Sequence, residues 1–150
     1  MENAASILHY ETVLPVLKEV LERISSREEL KEFRLVGGTN LSLRFGHRMS
    51  DDIDYFTPQE YGTADFDGIY AMLRQEFDYI YGGGKDIGFG HSYFVGNSSI
   101  DGEKVKLDIM YTDPFLNDPD VLDGVNFASI EDIVAMKLNA VTGSPGKVCV

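Results

Sequence analysis

FRLVGGTNLSLRFGHRMSDDIDYF, residues Phe33 to Phe56, is the stretch around which the 150-residue chain is organised. Phe33 to Val36 is a short apolar run that reads as a buried strand. Gly37, Gly38 and Thr39 make a tight turn, and a mixed segment follows to Ser50. A second strand then carries Asp52 and Asp54. Strand side chains alternate, so both carboxylates point one way, with Cα atoms roughly 6.6 Å apart, while Ile53 and Tyr55 face the other side. Two carboxylates on one face repel unless a cation lies between them, and oxygen ligands suit Mg²⁺ or Mn²⁺. A glycine turn that opens onto a helix offers backbone N–H groups to an anion, typically phosphate. The combination predicts a metal–nucleotide site.

Gly37-Gly38, thirteen residues, then Asp52-Ile53-Asp54 resembles the signature of DNA polymerase beta-like nucleotidyltransferases. The finer wording, LVGGTNLSLRFGHRMSDDIDYF, is similar to the AbiEii toxin family of bacterial abortive-infection and toxin–antitoxin systems. The resemblance runs from about Phe33 to Val141 and rests on Gly-Gly-Thr, Gly-His-Arg-x-Ser and Asp-Ile-Asp together. It implies a nucleotidyltransferase fold with a mixed or antiparallel sheet, and the order of helices and strands along the chain fits an α+β sheet with helices packed on one side.

At 150 residues the chain is long enough for one domain with a real core, so residues 1–150 are expected to form a single nucleotidyltransferase core. It contains no run of about 18 apolar residues and no basic-then-apolar leader, so no membrane span or signal peptide is apparent, the cytoplasm is the expected location and no membrane partner is expected. The lone Cys149 rules out an intrachain disulfide and a cysteine-based zinc site. A net charge of −12, from 25 acidic and 13 basic residues, argues against broad binding to a phosphate backbone. A nucleic-acid acceptor therefore requires a local basic patch or a partner segment.

Ile7, Tyr10, Leu14, Leu17, Leu21 and Ile24 recur at helical spacing and predict an amphipathic helix, with Pro15 in its first turn or at a kink. Ser25 to Glu29 closes it and starts a short second helix. Leu41, Leu43 and Phe45 alternate as in a strand, whereas the family resemblance implies a helix there. From Thr63 or Asp65 to Phe77, an amphipathic helix is marked by Phe66, Ile69, Tyr70, Leu73 and Phe77. Strands follow at Tyr79–Tyr81, Ser92–Val95 and Lys104–Tyr111, joined by turns at Gly82–Gly90 and Asn97–Gly102. Gly84-Lys85 and Gly88-Phe89-Gly90 lack the spacing of phosphate-binding loops. Asp113, Asp118 and Asp120 lie in a turn-rich loop without calcium-site spacing. Ser129, with Asp132 three residues on, starts a last helix to about Val141, with Ile130, Ile133, Val134, Leu138 and Val141 as its apolar stripe.

On the strand from Lys104, Val105, Leu107, Ile109 and Tyr111 share one face, and Lys106, Asp108 and Met110 share the other. Read alone, Asp108 is a solvated aspartate. The family pattern has a lone Asp between hydrophobic residues on a later strand, and Leu107-Asp108-Ile109 matches it, so the resemblance makes Asp108 the third member of a catalytic, metal-binding set with Asp52 and Asp54. Lys137 falls within the last helix's apolar stripe, where a lysine can simply snorkel out at the core edge. The segment Glu131 to Leu138 is similar to the lysine-bearing helix of the family, so the resemblance gives Lys137 the nucleotide's phosphates, with Gly37, Gly38 and Thr39. Arg48 is a further candidate for the nucleotide, while Arg44 and His47 read as partners of nearby aspartates.

The implied chemistry is transfer of a nucleoside monophosphate from a nucleoside triphosphate to a hydroxyl, with pyrophosphate leaving. The resemblance implies a toxin with a cognate antitoxin, GTP as first candidate nucleotide and tRNA as a possible acceptor. Family members continue into a second, largely helical half that this sequence lacks. The alternative is a degenerate core that binds nucleotide without turnover.

Overall fold

The computed structural model describes residues 7–82, 89–97 and 103–143. Seven strands form one sheet in the order β3-β4-β5-β2-β1-β7-β6. They are β1 (Arg34–Val36), β2 (Asp52–Thr57), β3 (Tyr79–Gly82), β4 (Gly90–Gly96), β5 (Val105–Tyr111), β6 (Asp120–Leu122) and β7 (Val125–Phe127). Among the described residues, four α-helices accompany them: α1 (Pro15–Ile24), α2 (Gly37–Phe45), α3 (Phe66–Glu76) and α4 (Ile130–Gly143). Pairing is mixed: β2 runs parallel to β5 and β1 to β7, and the other neighbours are antiparallel. Among the described residues, no helix is long and apolar enough to cross a membrane.

The two sheet faces differ. Leu35, Ile53, Tyr55, Tyr93, Val95, Leu107 and Ile109 pack into the main core with Leu17, Leu21 and Ile24 of α1 and Ile69 and Leu73 of α3. On the opposite face a smaller cluster joins Val36 and Phe56 to Ile133 and Met136 of α4. The sequence places the helices on one side. That describes α1 and α3, while α4 lies against the second face at its β1 end. Asp52 and Asp54 alternate with the buried Ile53 and Tyr55, so they emerge on the second face.

The first helix begins later than the apolar spacing predicts. Pro15 occupies its first turn and Leu14 before it is extended, because the proline ring disfavours helical backbone at the preceding residue. Tyr10–Thr12 form only a 3₁₀ turn, and Ile7 is exposed. Segment 39–45 is helical, as the resemblance implies and the alternation does not. Leu43 enters the main core while Leu41 joins the second cluster, so a helix buried on two sides mimics strand periodicity. The buried Asn40 amide donates to the carbonyls of Leu35 and Ala128, at 2.8 and 3.1 Å, and ties α2 to β1 and to the entry of α4.

The 120–127 hairpin has no counterpart in the sequence reading, which leaves Asp113 to Asp120 as loop. Its turn, Asp123-Gly124, has φ of 50° and 77°, the left-handed pair that an Asp-Gly hairpin turn needs. Ser129 caps α4, accepting from the Asp132 N–H at 3.0 Å. The Asp132 carboxylate in turn accepts from the backbone N–H groups of Leu116 and Asn117, at 2.6 and 3.1 Å. Burial raises the Asp132 pKa, but those N–H groups and the Ser129 hydroxyl prevail and hold it below the usual value. Of the expected α4 stripe, Ile133 is buried, whereas Ile130, Val134 and Leu138 are exposed. The Val141 side chain, most of the Gly82–Gly90 turn and most of the Asn97–Gly102 hairpin lie outside the described residues.

Candidate active site

Parallel pairing of β2 with β5 sets Asp54 directly beside Asp108, and Asp52 beside Lys106. Antiparallel pairing of β4 with β5 brings Ser92 next to Asp108, and pairing of β1 with β2 brings Val36 next to Asp54. One row across the second face therefore reads Ser92, Asp108, Asp54, Val36. The Ser92 hydroxyl donates to Asp108 Oδ1, and Lys106 Nζ lies 3.7 Å from Asp108 Oδ2.

Burial, then the charge and hydrogen bond of Asp108, push the Asp54 pKa up to about 7. Asp52 is exposed, and its pKa is raised by partial burial and by the charges of Asp51 and Asp108. Among the described residues, no three His, Cys, Asp or Glu side chains converge as a ready-made cation cage. The convergent unit is the pair Asp54 and Asp108, with Asp52 two residues along the same face. An oxygen-only pair in which burial and mutual repulsion disfavour two negative charges suits a hard divalent cation.

The pH dependence follows. Asp54 binds its proton more tightly in the folded chain than in the unfolded one, so its contribution to stability is greatest below about pH 4. It falls as pH rises from about 4 to about 7 and levels off above. Melting curves in chelator should show Tm declining across that interval, and Mg²⁺ should flatten the decline. A Tm rising from pH 5 to pH 7.5 in chelator would contradict this.

β1 delivers the glycines. Gly37 adopts φ of 73°, and a methyl group there would lie 2.8 Å from Asp54 Oδ2. The first turn of α2 thus abuts the carboxylate pair with no side chain between. A methyl on Gly38 would collide with the Arg48 guanidinium, so the exposed Arg48 lies over that same turn. The Thr39 hydroxyl, expected at the nucleotide, is buried: it donates to the Asp52 carbonyl and bonds Ser50 Oγ at 2.6 Å. It fastens α2 to the start of β2. Lys137 is half-buried on α4, one residue beyond Met136, which packs with Val36 and Phe56. Arg44 is structural, as expected, pairing with Asp120 at 2.8 Å and donating to the Ala128 carbonyl. Ser92 and Lys106 are absent from the sequence-predicted set: strand register brings Ser92 to Asp108 and sets Lys106 beside Asp52, while alternation along β5 already puts Lys106 on the face of Asp108.

Paired carboxylates on the open face of a mixed sheet, beside a glycine turn that starts a helix, define a nucleotidyltransferase-type core. The chain resembles JHP933 of Helicobacter pylori, with TM-score 0.59, 21% identity, and coverage of 83% of this chain and 53% of that one. It also resembles an H. pylori protein solved as a candidate nucleotidyltransferase, with TM-score 0.58, 22% identity, and coverage of 81% and 54%. A family model described as "Nucleotidyl transferase AbiEii toxin, Type IV TA system" matches residues 19–147. The chain belongs to the AbiEii nucleotidyltransferase family. A curated relative, the uncharacterized protein aq_aa25 of Aquifex aeolicus, is 50% identical over 40 residues, 27% of this chain and 19% of that protein. The chain spans about half the length of the two solved structures and a fifth of the curated relative.

Proposed function

We propose that residues 1–150 are a single core domain that transfers a nucleoside monophosphate from a nucleoside triphosphate to a hydroxyl acceptor, dependent on Mg²⁺ or Mn²⁺. The observation that carries this reading is the Asp54–Asp108 register pair, abutted by the side-chain-free first turn of α2. Asp52, Asp54 and Asp108 would hold the metal. When bound, it neutralises phosphate charge and makes the acceptor hydroxyl more acidic. Ser92 fixes the orientation of Asp108 through its Oδ1. Gly37 and Gly38 let the backbone N–H groups of α2 approach the β- and γ-phosphates, with Arg48 and Lys137 supplying positive charge. Thr39 keeps that turn in register with β2. The acceptor oxygen attacks the α-phosphorus, its proton is lost to water, and the bond to the bridging oxygen breaks as pyrophosphate leaves. The protein's part is positioning and charge compensation.

The toxin–antitoxin family supports a toxin role with a cognate antitoxin, in the cytoplasm. GTP is the first nucleotide to try and tRNA the first acceptor. Incubation with α-phosphate-labelled nucleoside triphosphates and bacterial RNA should move label to the acceptor with release of pyrophosphate. Mg²⁺-dependent binding with neither label transfer nor pyrophosphate would support a nucleotide-binding module without turnover.

A further inference from the structure

Lys106 is the link between the carboxylates and a second group of side chains on the same face. Its register partner on β2 is Asp52, and its partner on β4 is Phe94. Phe94 in turn pairs with Tyr81 on β3. Directly paired residues of neighbouring strands project to one side, so Tyr81, Phe94, Lys106 and Asp52 form one line across four strands. Three inter-strand steps make it roughly 14 Å long. Tyr79, two residues before Tyr81, shares that side, and the Lys104 ammonium sits 4.4 Å from the centre of its ring.

The line is exposed where a soluble sheet face would ordinarily be polar or covered. Tyr81 is 65% exposed, while Tyr79 and Phe94 are each 40% exposed. Three aromatic rings and two lysines therefore line an open surface that continues into the carboxylate pair. In a chain of net charge −12, this surface sets two lysines beside aromatic faces, the combination that an unpaired nucleic-acid strand can use. Flat rings stack on unpaired bases, and neighbouring lysines follow the phosphates. Base-paired strands offer no free base faces, so the surface suits a single strand.

We infer that Tyr79, Tyr81 and Phe94, with Lys104 and Lys106, form a stacking platform for the unpaired end of an acceptor nucleic acid, whose terminal hydroxyl it delivers to Asp52, Asp54 and Asp108. The inference rests on the nucleotidyl-transfer reading and supplies its missing acceptor site. The platform lies on the β3–β4 side of the carboxylates, away from the α2 turn assigned to the triphosphate.

The test is fluorescence anisotropy of a short single-stranded RNA oligomer and its duplex on the full chain, at low and moderate salt. Wild type should bind the single strand in preference to the duplex, more weakly as salt rises. Tyr81→Ala and Phe94→Ala remove exposed rings, and each should cost about tenfold in affinity for the single strand. Lys106→Met should weaken binding and flatten the salt dependence. The Mg²⁺-dependent thermal shift with nucleoside triphosphate should be unchanged in Tyr81→Ala. That control separates the platform from the transfer reading, since a wild type with no triphosphate response defeats the latter alone. No binding of the single strand, equal binding of the duplex, or unchanged affinity in both aromatic variants would overturn the platform. So would a Tyr81→Ala chain that loses the triphosphate response and keeps the RNA, or one whose only change is a smaller oligomer.

Discussion

Asp54→Asn is expected to melt higher than wild type in chelator at pH 8 and to lose label transfer. The two effects share one origin. At that pH the wild-type chain keeps two carboxylates in contact, against burial and mutual repulsion that raise the Asp54 pKa to about 7. An amide removes the repulsion and offers Asp108 a neutral donor. A gain of about 1 kcal/mol would move Tm by roughly 2–4 °C in a chain of this length. The gain should shrink at pH 5, where the wild-type pair already carries its proton. Transfer should fall by about a thousandfold, since a lost metal ligand removes several kcal/mol of charge stabilisation. Differential scanning calorimetry at both pH values, with the transfer assay, checks both signs. An Asp54→Asn chain less stable at pH 8 than wild type would show that the pair is a net stabilising contact.

Gly37→Ala is expected to damage both stability and the site. The φ of 73° costs a non-glycine residue about 1–2 kcal/mol. The new methyl would also stand 2.8 Å from Asp54 Oδ2, so the carboxylate or the α2 turn must shift. Together these should lower stability by about 2–3 kcal/mol and weaken Mg²⁺-dependent nucleotide binding at least tenfold. Urea unfolding and nucleotide titration measure the two losses. Gly38→Ala is the informative comparison, because its methyl meets the tip of Arg48, which can swing away. Stability should then change little while nucleotide affinity drops. A Gly37→Ala chain of wild-type stability and affinity would remove the glycine turn from the site.

The carboxylates were legible because their signal is local. Alternation alone puts Asp52 and Asp54 on the face opposite Ile53 and Tyr55, and Asp108 opposite Leu107 and Ile109. The contact between Asp54 and Asp108 is a property of the β2–β5 register, which periodicity does not reveal. Ser92 was hidden for the same reason, as was the place of Lys106 beside Asp52. Helix α2 needed the family resemblance, since its two-sided burial of Leu41 and Leu43 imitates a strand. The 120–127 hairpin carried a readable sign in Asp123-Gly124, but its strands are only three residues each, too short for alternation to register. Thr39 illustrates the opposite error: a hydroxyl beside a phosphate-type turn reads as a ligand group, yet its burial and its bond to the Asp52 carbonyl make it a fastener.

The most direct test of the carboxylate site is thermal shift of the wild-type chain against ATP, GTP, CTP and UTP, each with Mg²⁺ and with chelator. One nucleotide should raise Tm, and only when Mg²⁺ is present. Equal shifts with and without the metal, or no shift with any nucleotide, would contradict a metal–nucleotide site at Asp52, Asp54 and Asp108.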